Sequence, residues 1–291
     1  MSNYSIRDLE QLSGIKAHTL RIWEQRYNII QPKRTDTNIR MYDDQDLKLV
    51  LNISLLKDHG FKISEISKLP LDEMAKEVIA ISDKKLNYPD QIQALTISMI
   101  DLDEERFEKI ISTNFLQFGF ENTMLNIIYP FLSRIGTLWM TGSIGPAQEH
   151  FMSNLIRQKV IVAIDGQVIK HRPDVKKFLL YLPEGELHEI GLLFATYVIR
   201  SRNHKVIYLG QTLPFNELVF AHEVHKPHFI FSILTSVPAN EEVQPYVDRL
   251  CDQFPDTHIL LTGYQVVGQD IQLKPNASII NKTEDLVEFL H

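Results

Sequence analysis

LPEGELHEIG, residues Leu182–Gly191, joins an apolar run to a helical pattern. Its reading decides the architecture of the carboxyl-terminal half. It sets Glu186, His188 and Gly191 at the carboxyl end of an expected strand, the end at which open parallel α/β sheets hold ligands. The apolar run is the first of five, Phe178–Leu182, Val206–Leu209, Phe229–Leu234, His258–Leu261 and Ser278–Ile280, each followed by a helical stretch. That alternation predicts a parallel sheet covered on both faces, a flavodoxin-like doubly wound domain over residues 176–291. No Gly-x-Gly-x-x-Gly follows the first run, so a dinucleotide site is not expected. A neutral imidazole with a carboxylate two residues away suits metal ligation, the carboxylate orienting the ring. The plainer alternative is a histidine at a helix start. His222, His225 and His228 fall at helix ends or in loops and read as solvated.

The chain has 291 residues, 44% hydrophobic and 23% charged, enough for two or three domains. No apolar stretch reaches bilayer length, and the polar start Met1-Ser2-Asn3 is unlike a signal peptide. A single cysteine, Cys251, excludes an internal disulfide and a thiolate zinc cluster. A cytoplasmic setting without membrane attachment is the expectation. The net charge of −7 is uneven. Residues 1–75 hold 11 Lys/Arg and 11 Asp/Glu, and Lys16–Arg40 carries six cations against Glu24 and Asp36. A local basic excess on an acidic protein is the footprint of a DNA-binding module, although a solvated helix face gives the same charge count.

The sequence around that excess has a specific order. Ser5 with Asp8 makes a capping box for a helix from Ile6 to about Ser13, and Gly14 ends it. A second helix follows from about Ala17 to Tyr27, with Leu20, Trp23 and Tyr27 on one apolar face. Two short helices joined by a glycine turn form a helix-turn-helix, whose second helix enters the major groove by its first residues. His18, Thr19 and Arg21 take those positions, with Arg26 further along. Pro32 to Tyr42 then reads as a basic two-stranded wing that lays Arg40 and Tyr42 on phosphates. Asp43 or Asp44 caps the next helix, and Ser64 caps a short one after Gly60.

From Leu71 to Gln167 the pattern is helical, and residues 76–167 are expected to form a four-helix bundle. Asp103 and its acidic neighbours suit the positive end of one of these helices. Trp139 ends another, and Pro146 suits the first turn of the next, which carries Glu149 and His150. Alone, Trp139 reads as a core aromatic and His150 as a surface histidine.

Three runs, SIRDLEQLSGIKAHTLRIWEQRY, PKRTDTNIRMYDDQDL and LKDHGFKISEI, resemble in order and spacing the winged-helix domain of MerR-type transcriptional regulators. The resemblance covers about seventy residues and implies that Thr19, Arg21, Arg26 and Arg40 face promoter DNA. It also implies binding to pseudo-palindromic sites as a homodimer. The wing departs from the pattern, having Asn38-Ile39 where Gly-Tyr is usual. Trp139, nine residues, then Glu149-His150 is similar to the helical half of the cobalamin-binding photoreceptor repressors of the CarH and LitR group. There the tryptophan shields the upper face of the corrin and the Glu-His pair meets the upper-ligand region. Glu186-x-His188-x-x-Gly191, Ser232-Ile233-Leu234 and Thr262-Gly263 resemble the three-part signature of the cobalamin-binding fold. That resemblance implies adenosylcobalamin or methylcobalamin with cobalt on His188. Glu186 would hold the ring's second nitrogen, and Ser232, Leu234 and Gly263 would line the groove for the nucleotide tail.

Three positions depart from that signature. Glu186 replaces an aspartate, Thr262 a glycine, and Met140 the histidine that follows the motif tryptophan in light-responsive members. A thioether is a weak ligand for Co(III), so a bis-imidazole trap is not expected. The expected molecule is therefore a multidomain α and α/β regulator, homodimeric or homotetrameric and not an enzyme. Its operator binding would answer to cobalamin held by the bundle and the α/β domain. A second reading keeps the DNA module and gives the sensor another ligand or a protein partner.

Overall fold

The computed structural model describes residues 4–35, 38–84, 88–140, 142, 144–168, 175–238 and 242–290, the side chains of 79–84 and 140 excepted. The chain divides into two compact units, Met1–Leu155 and Ile156–His291.

The first unit opens with α1 (Ile6–Ser13), capped by the Ser5–Asp8 box and closed by Gly14 at φ 72°. Helix α2 (Ala17–Tyr27) has no cap from its own Lys16. Instead Glu10 of α1 accepts from the Ala17 N–H at 3.0 Å and pairs with Lys16. Two-residue strands β1 (Lys33–Arg34) and β2 (Arg40–Met41) pair antiparallel as the wing. The wing tip, Asp36-Thr37, lies outside the described residues. Asn38 stands at φ 63°, a left-handed conformation that glycine takes freely and asparagine tolerates. Asparagine thus does the backbone work of the glycine usual at that place.

Helix α3 (Asp44–Asp58) is capped by Asp43. The short helix α4 (Ile63–Ile66) starts two residues earlier than expected, which puts Ser64 inside it. Its cap comes from Glu65, which accepts from the Lys62 N–H at 3.1 Å. Helices α5 (Leu71–Lys84), α6 (Tyr88–Asp101) and α7 (Glu104–Phe118, capped by Asp103) follow. One further helical run, α8 (Phe120–Thr123), a π-turn over Met124–Ile128, and α9 (Tyr129–Met140), leads to α10 (Pro146–Asp165). Proline at position 130 has no N–H to donate, and the wider turn just before it fits that loss.

The expected boundary at residue 75 falls inside α5. Helix α6 is buried along Asp90–Ile100, and α3 packs against both α5 and α6. Ser54 of α3 donates to the Ser13 carbonyl at 2.7 Å, Lys48 pairs with Asp101 at 2.5 Å, and His59 lies 3.5 Å from Asp90. The wing-bearing segment and the helical bundle therefore share one core.

In the second unit, five parallel strands, β3 (Lys177–Pro183), β4 (Lys205–Leu213), β5 (Phe229–Ile233), β6 (His258–Thr262) and β7 (Ala277–Ile279), stand in the order β4-β3-β5-β6-β7. Numbered within the unit this is 2-1-3-4-5, the flavodoxin-like doubly wound order, with its switch point between β3 and β5. Helices α11 (Ile190–Ser201), α12 (Phe215–His225) and α13 (Val243–Gln253) follow β3, β4 and β5, and α14 (Thr283–Glu288) follows β7, but the helix expected after β6 is absent: residues 263–276 run to β7 through turns. Central β3 is buried from Phe178 to Pro183. Its residues Leu179 and Tyr181 share a core with Ile230, Val247 and Leu261. The strand runs match those expected to within a few residues at each end. Between the expected bundle and the α/β domain, residues 169–174 lie outside the described residues.

The histidines away from the LPEGELHEIG loop are not simply solvated. His228 Nδ1 accepts from the Lys177 N–H at 2.9 Å, and His222 Nε2 meets Thr257 Oγ1 at 2.8 Å. They tie together the amino ends of the strands, the end opposite His188. Burial lowers the pKa of His222, consistent with a neutral ring.

Candidate functional site

The loop between β3 and α11 sits at the switch point, and Glu186 organises it. Its side chain is 0% exposed. One oxygen, Oε2, accepts from the N–H groups of Thr235, Ser236 and Val237 at 3.1, 2.7 and 3.2 Å. The other, Oε1, accepts from the N–H groups of Leu187 and His188 at 3.0 and 3.1 Å. The Ser236 hydroxyl donates to the same carboxylate. The longer stem of glutamate thus reaches from the β3 loop to the loop after β5. An aspartate, one methylene shorter, would have to approach more closely to do so.

Burial by itself raises the Glu186 carboxyl, but the Ser236 N–H and His188 outweigh it and hold the pKa at about 2. Its folded value lies below its usual 4.5. Its stabilising contribution is therefore complete above about pH 4.5 and lost as pH falls through about 2. We expect Glu186→Gln to remove about 3 kcal/mol of acid-dependent stability, of the size that such a shift implies. Denaturant unfolding of parent and variant from pH 5 to pH 2 checks this; parallel stability curves would contradict it.

His188 Nδ1 lies 2.5 Å from Glu186 Oε1. An ionised carboxylate only accepts, so Nδ1 carries the proton toward Glu186, which leaves Nε2 as the ring position turned to a ligand. The side chain is 63% exposed, and Nε2 has no hydrogen-bond partner among the described residues. Leu187, its neighbour in the chain, and Tyr264, in the loop after β6, are exposed apolar groups. No three His, Cys, Asp or Glu side chains converge to hold a metal among the described residues. His188 is thus a single, oriented ligand on an apolar rim.

The neighbouring positions are unusually tight. Gly263 stands at φ 107°, and a Cβ there would lie 2.5 Å from the Leu234 carbonyl oxygen. At Gly191 a Cβ would meet the tip of Ile233 at 2.9 Å, so α11 packs closely on β5. Ser232 is fully buried, and its Oγ completes no hydrogen bond. A ring-orienting carboxylate, an open Nε2 and an unpaired buried hydroxyl fit a corrinoid ligated through His188, while Gly191 and Gly263 let the protein's own elements pack closely around them. Thr262 closes β6 half-buried.

In the first unit, Trp139 is 46% exposed at the end of α9, not a core aromatic. Glu149 and His150 pair at 3.0 Å on the first turn of α10. The side chain of Met140, with residues Thr141 and Ser143, lies outside the described residues.

On the DNA module, His18, Arg21 and Arg26 are exposed and Thr19 is half-buried. Arg21 makes no ion pair among the described residues. Two expectations for the wing change. Tyr42 is 2% exposed, because its backbone pairs with Tyr4 in both directions and draws the ring into the core; it is not a surface phosphate contact. Arg40 is held by both carboxylate oxygens of Glu24 from α2, at 2.9 and 3.3 Å, so its charge is already answered. Arg34 and Lys33 are the more open wing cations. Glu24 escaped the sequence reading because no local spacing signals a partner sixteen residues away.

Residues 4–70 match the family described as MerR HTH family regulatory protein, and residues 91–163 match the B12 binding domain family. The chain carries a MerR-type helix-turn-helix and a B12 binding domain. The MerR-type match covers α1 to α4 with the wing, and the B12 match covers the helices that bear Trp139, Glu149 and His150. The chain is 26% identical over 259 residues to the HTH-type transcriptional repressor CarH of Myxococcus xanthus, covering 87% of this chain and 85% of CarH. It is 25% identical over 255 residues to the repressor CarA of the same organism, covering 86% and 84%. Among solved structures it is similar to the monomethylamine corrinoid protein of Methanosarcina barkeri, at 15% identity and TM-score 0.41, covering 75% of this chain and 87% of that one. Among the described residues no helix is long and apolar enough to cross a membrane.

Proposed function

We propose that this MerR-type regulator binds operator DNA under the control of cobalamin, adenosylcobalamin or methylcobalamin, ligated through His188. One observation carries the reading: an exposed imidazole, oriented by a buried carboxylate at a sheet switch point, in a chain that also bears a winged helix. Bound cobalamin would supply a cobalt centre, and His188 is the residue that would hold it. The protein's own part is to keep the His188 proton on Nδ1, so that Nε2 stays available. Ser232, Leu234 and Gly263 would receive the nucleotide tail. Trp139, Glu149 and His150 would contribute to holding the corrinoid, a role that the exposure of Trp139 supports. Control of operator affinity then requires only that cobalamin favour one assembly, homodimer or homotetramer, over another. Coupling of this kind is typically worth about 1–3 kcal/mol, a change of roughly 5- to 150-fold.

The test is a gel shift on the chain's own promoter region, with and without adenosylcobalamin or methylcobalamin in the dark, beside an absorbance spectrum of the mixture. A cobalamin-dependent shift supports the reading. DNA binding indifferent to cobalamin, with no spectral change, would sink it and favour a sensor that takes another ligand, as the threonine at position 262 would suit.

The DNA face gives its own expectation. Arg21→Ala should lower discrimination between the operator and a scrambled site by about 1–3 kcal/mol. Arg34→Ala should mainly flatten the salt dependence, by about 0.9 in the logarithmic slope for one phosphate contact. A salt series in which both variants track the parent would refute the assignment of α2 and the wing.

A further inference from the structure

His188 is fixed on one side by Glu186. On its other side stands Glu189, a second acid that the cobalamin reading leaves without a task. Its side chain is only 9% exposed. Arg157, on α10, donates Nε to Glu189 Oε1, and the Tyr208 hydroxyl of β4 donates to Oε2 at 2.9 Å. Burial, then the Glu189 carboxylate, push the Tyr208 hydroxyl well above its usual pKa, so it stays protonated as the donor. The loop has two lighter anchors on β4: Gln211 donates to the Leu187 carbonyl at 2.7 Å, and the Gly185 N–H donates to Thr212 Oγ1 at 2.8 Å. Neither ties the loop to a helix. Arg157 does, and its helix carries Glu149 and His150 on its first turn.

We propose that Arg157 and Tyr208 are positioning residues for His188: through the Glu189 carboxylate they hold the backbone that presents the imidazole. The proposal rests on the cobalamin reading and assigns it residues that no motif contains. Because Arg157 rides on α10, a displacement of that helix would reach the histidine loop through this one carboxylate. Partners of metal-bound imidazoles that act from behind commonly alter metal affinity about 10- to 100-fold.

The test uses the full chain and two readouts. In the first, aquocobinamide, a corrinoid without a nucleotide tail, is titrated into parent, Arg157→Ala, Glu189→Gln and Tyr208→Phe proteins, and imidazole ligation is followed by absorbance. Each variant should bind about 10- to 100-fold more weakly, with Arg157→Lys recovering part of the loss and unfolding midpoints close to the parent's. In the second, NMR on the protein alone measures proton exchange at His188 Nδ1, which should quicken in Arg157→Ala and Tyr208→Phe. Titrations and exchange rates equal to the parent's would overturn the proposal. Tyr208→Phe removes only a hydroxyl and decides the matter if Arg157→Ala does not fold. A parent that shows no His188-dependent ligation defeats the cobalamin reading instead. The exchange rates then still decide whether Arg157 and Tyr208 hold the ring.

Discussion

Replacing His188 with alanine is expected to abolish axial imidazole ligation and to weaken cobalamin binding by more than about a hundredfold. Loss of an orienting partner alone costs about 10- to 100-fold, and this variant removes the ligand itself. The effect should be larger for cobinamide, which lacks a tail to hold it in a groove. Since the side chain is 63% exposed and, among the described residues, its ring bonds only to Glu186, the fold should survive. A thermal melt near the parent's, together with a flat absorbance titration, is the expected pair of results. His225→Ala, at the other end of the sheet, serves as the control. Titration of His188→Ala with the parent's affinity and spectrum would remove the basis for a cobalt site here.

The second large effect concerns Gly263. A side chain there would be strained twice, by φ 107° and by the Leu234 backbone, whose carbonyl oxygen, carbonyl carbon and nitrogen lie at 2.5, 2.8 and 2.9 Å. Backbone atoms in a hydrogen-bonded rim do not step aside: the Leu234 N–H donates to the Thr262 carbonyl, and the Leu234 carbonyl accepts from the Gln265 N–H. We expect Gly263→Ala to cost about 3 kcal/mol or more, combining left-handed strain with overpacking. At this domain size that lowers the unfolding temperature by roughly 10 °C. Gly191→Ala is the contrast, since its new methyl meets only the tip of Ile233, and about 1 kcal/mol is expected. Scanning calorimetry of the two variants separates them. Equal melting temperatures would mean that Leu234 does not approach Gly263 as described.

Much of the architecture was legible because its determinants are local. The Ser5–Asp8 box and Gly14 mark α1 through hydrogen bonds that span three or four residues, and Leu20 and Trp23 mark α2 by helical period. The parallel sheet followed from strands alternating with helices, and its strand order came only with the structure. What escaped the sequence depends on pairs far apart in the chain. Glu186 meets Thr235, Ser236 and Val237 some fifty residues on, and Arg40 meets Glu24 across a turn and a strand. Tyr42 was misread because a two-residue strand has no alternation to tell its inner from its outer face. Its pairing with Tyr4, absent from any local pattern, settles which way the ring turns.

The sharing of a core between α3 and α6 carries a practical corollary. Leu47, Val50, Leu51, Ile53, Leu55 and Leu56 leave α3 with apolar surface on more than one side, and part of that surface is roofed by α5 and α6. A promoter reader excised at residue 75 would bare this surface to water and invite aggregation. Chimeras that graft the reader onto a foreign sensor should therefore take α5 and α6 along with it.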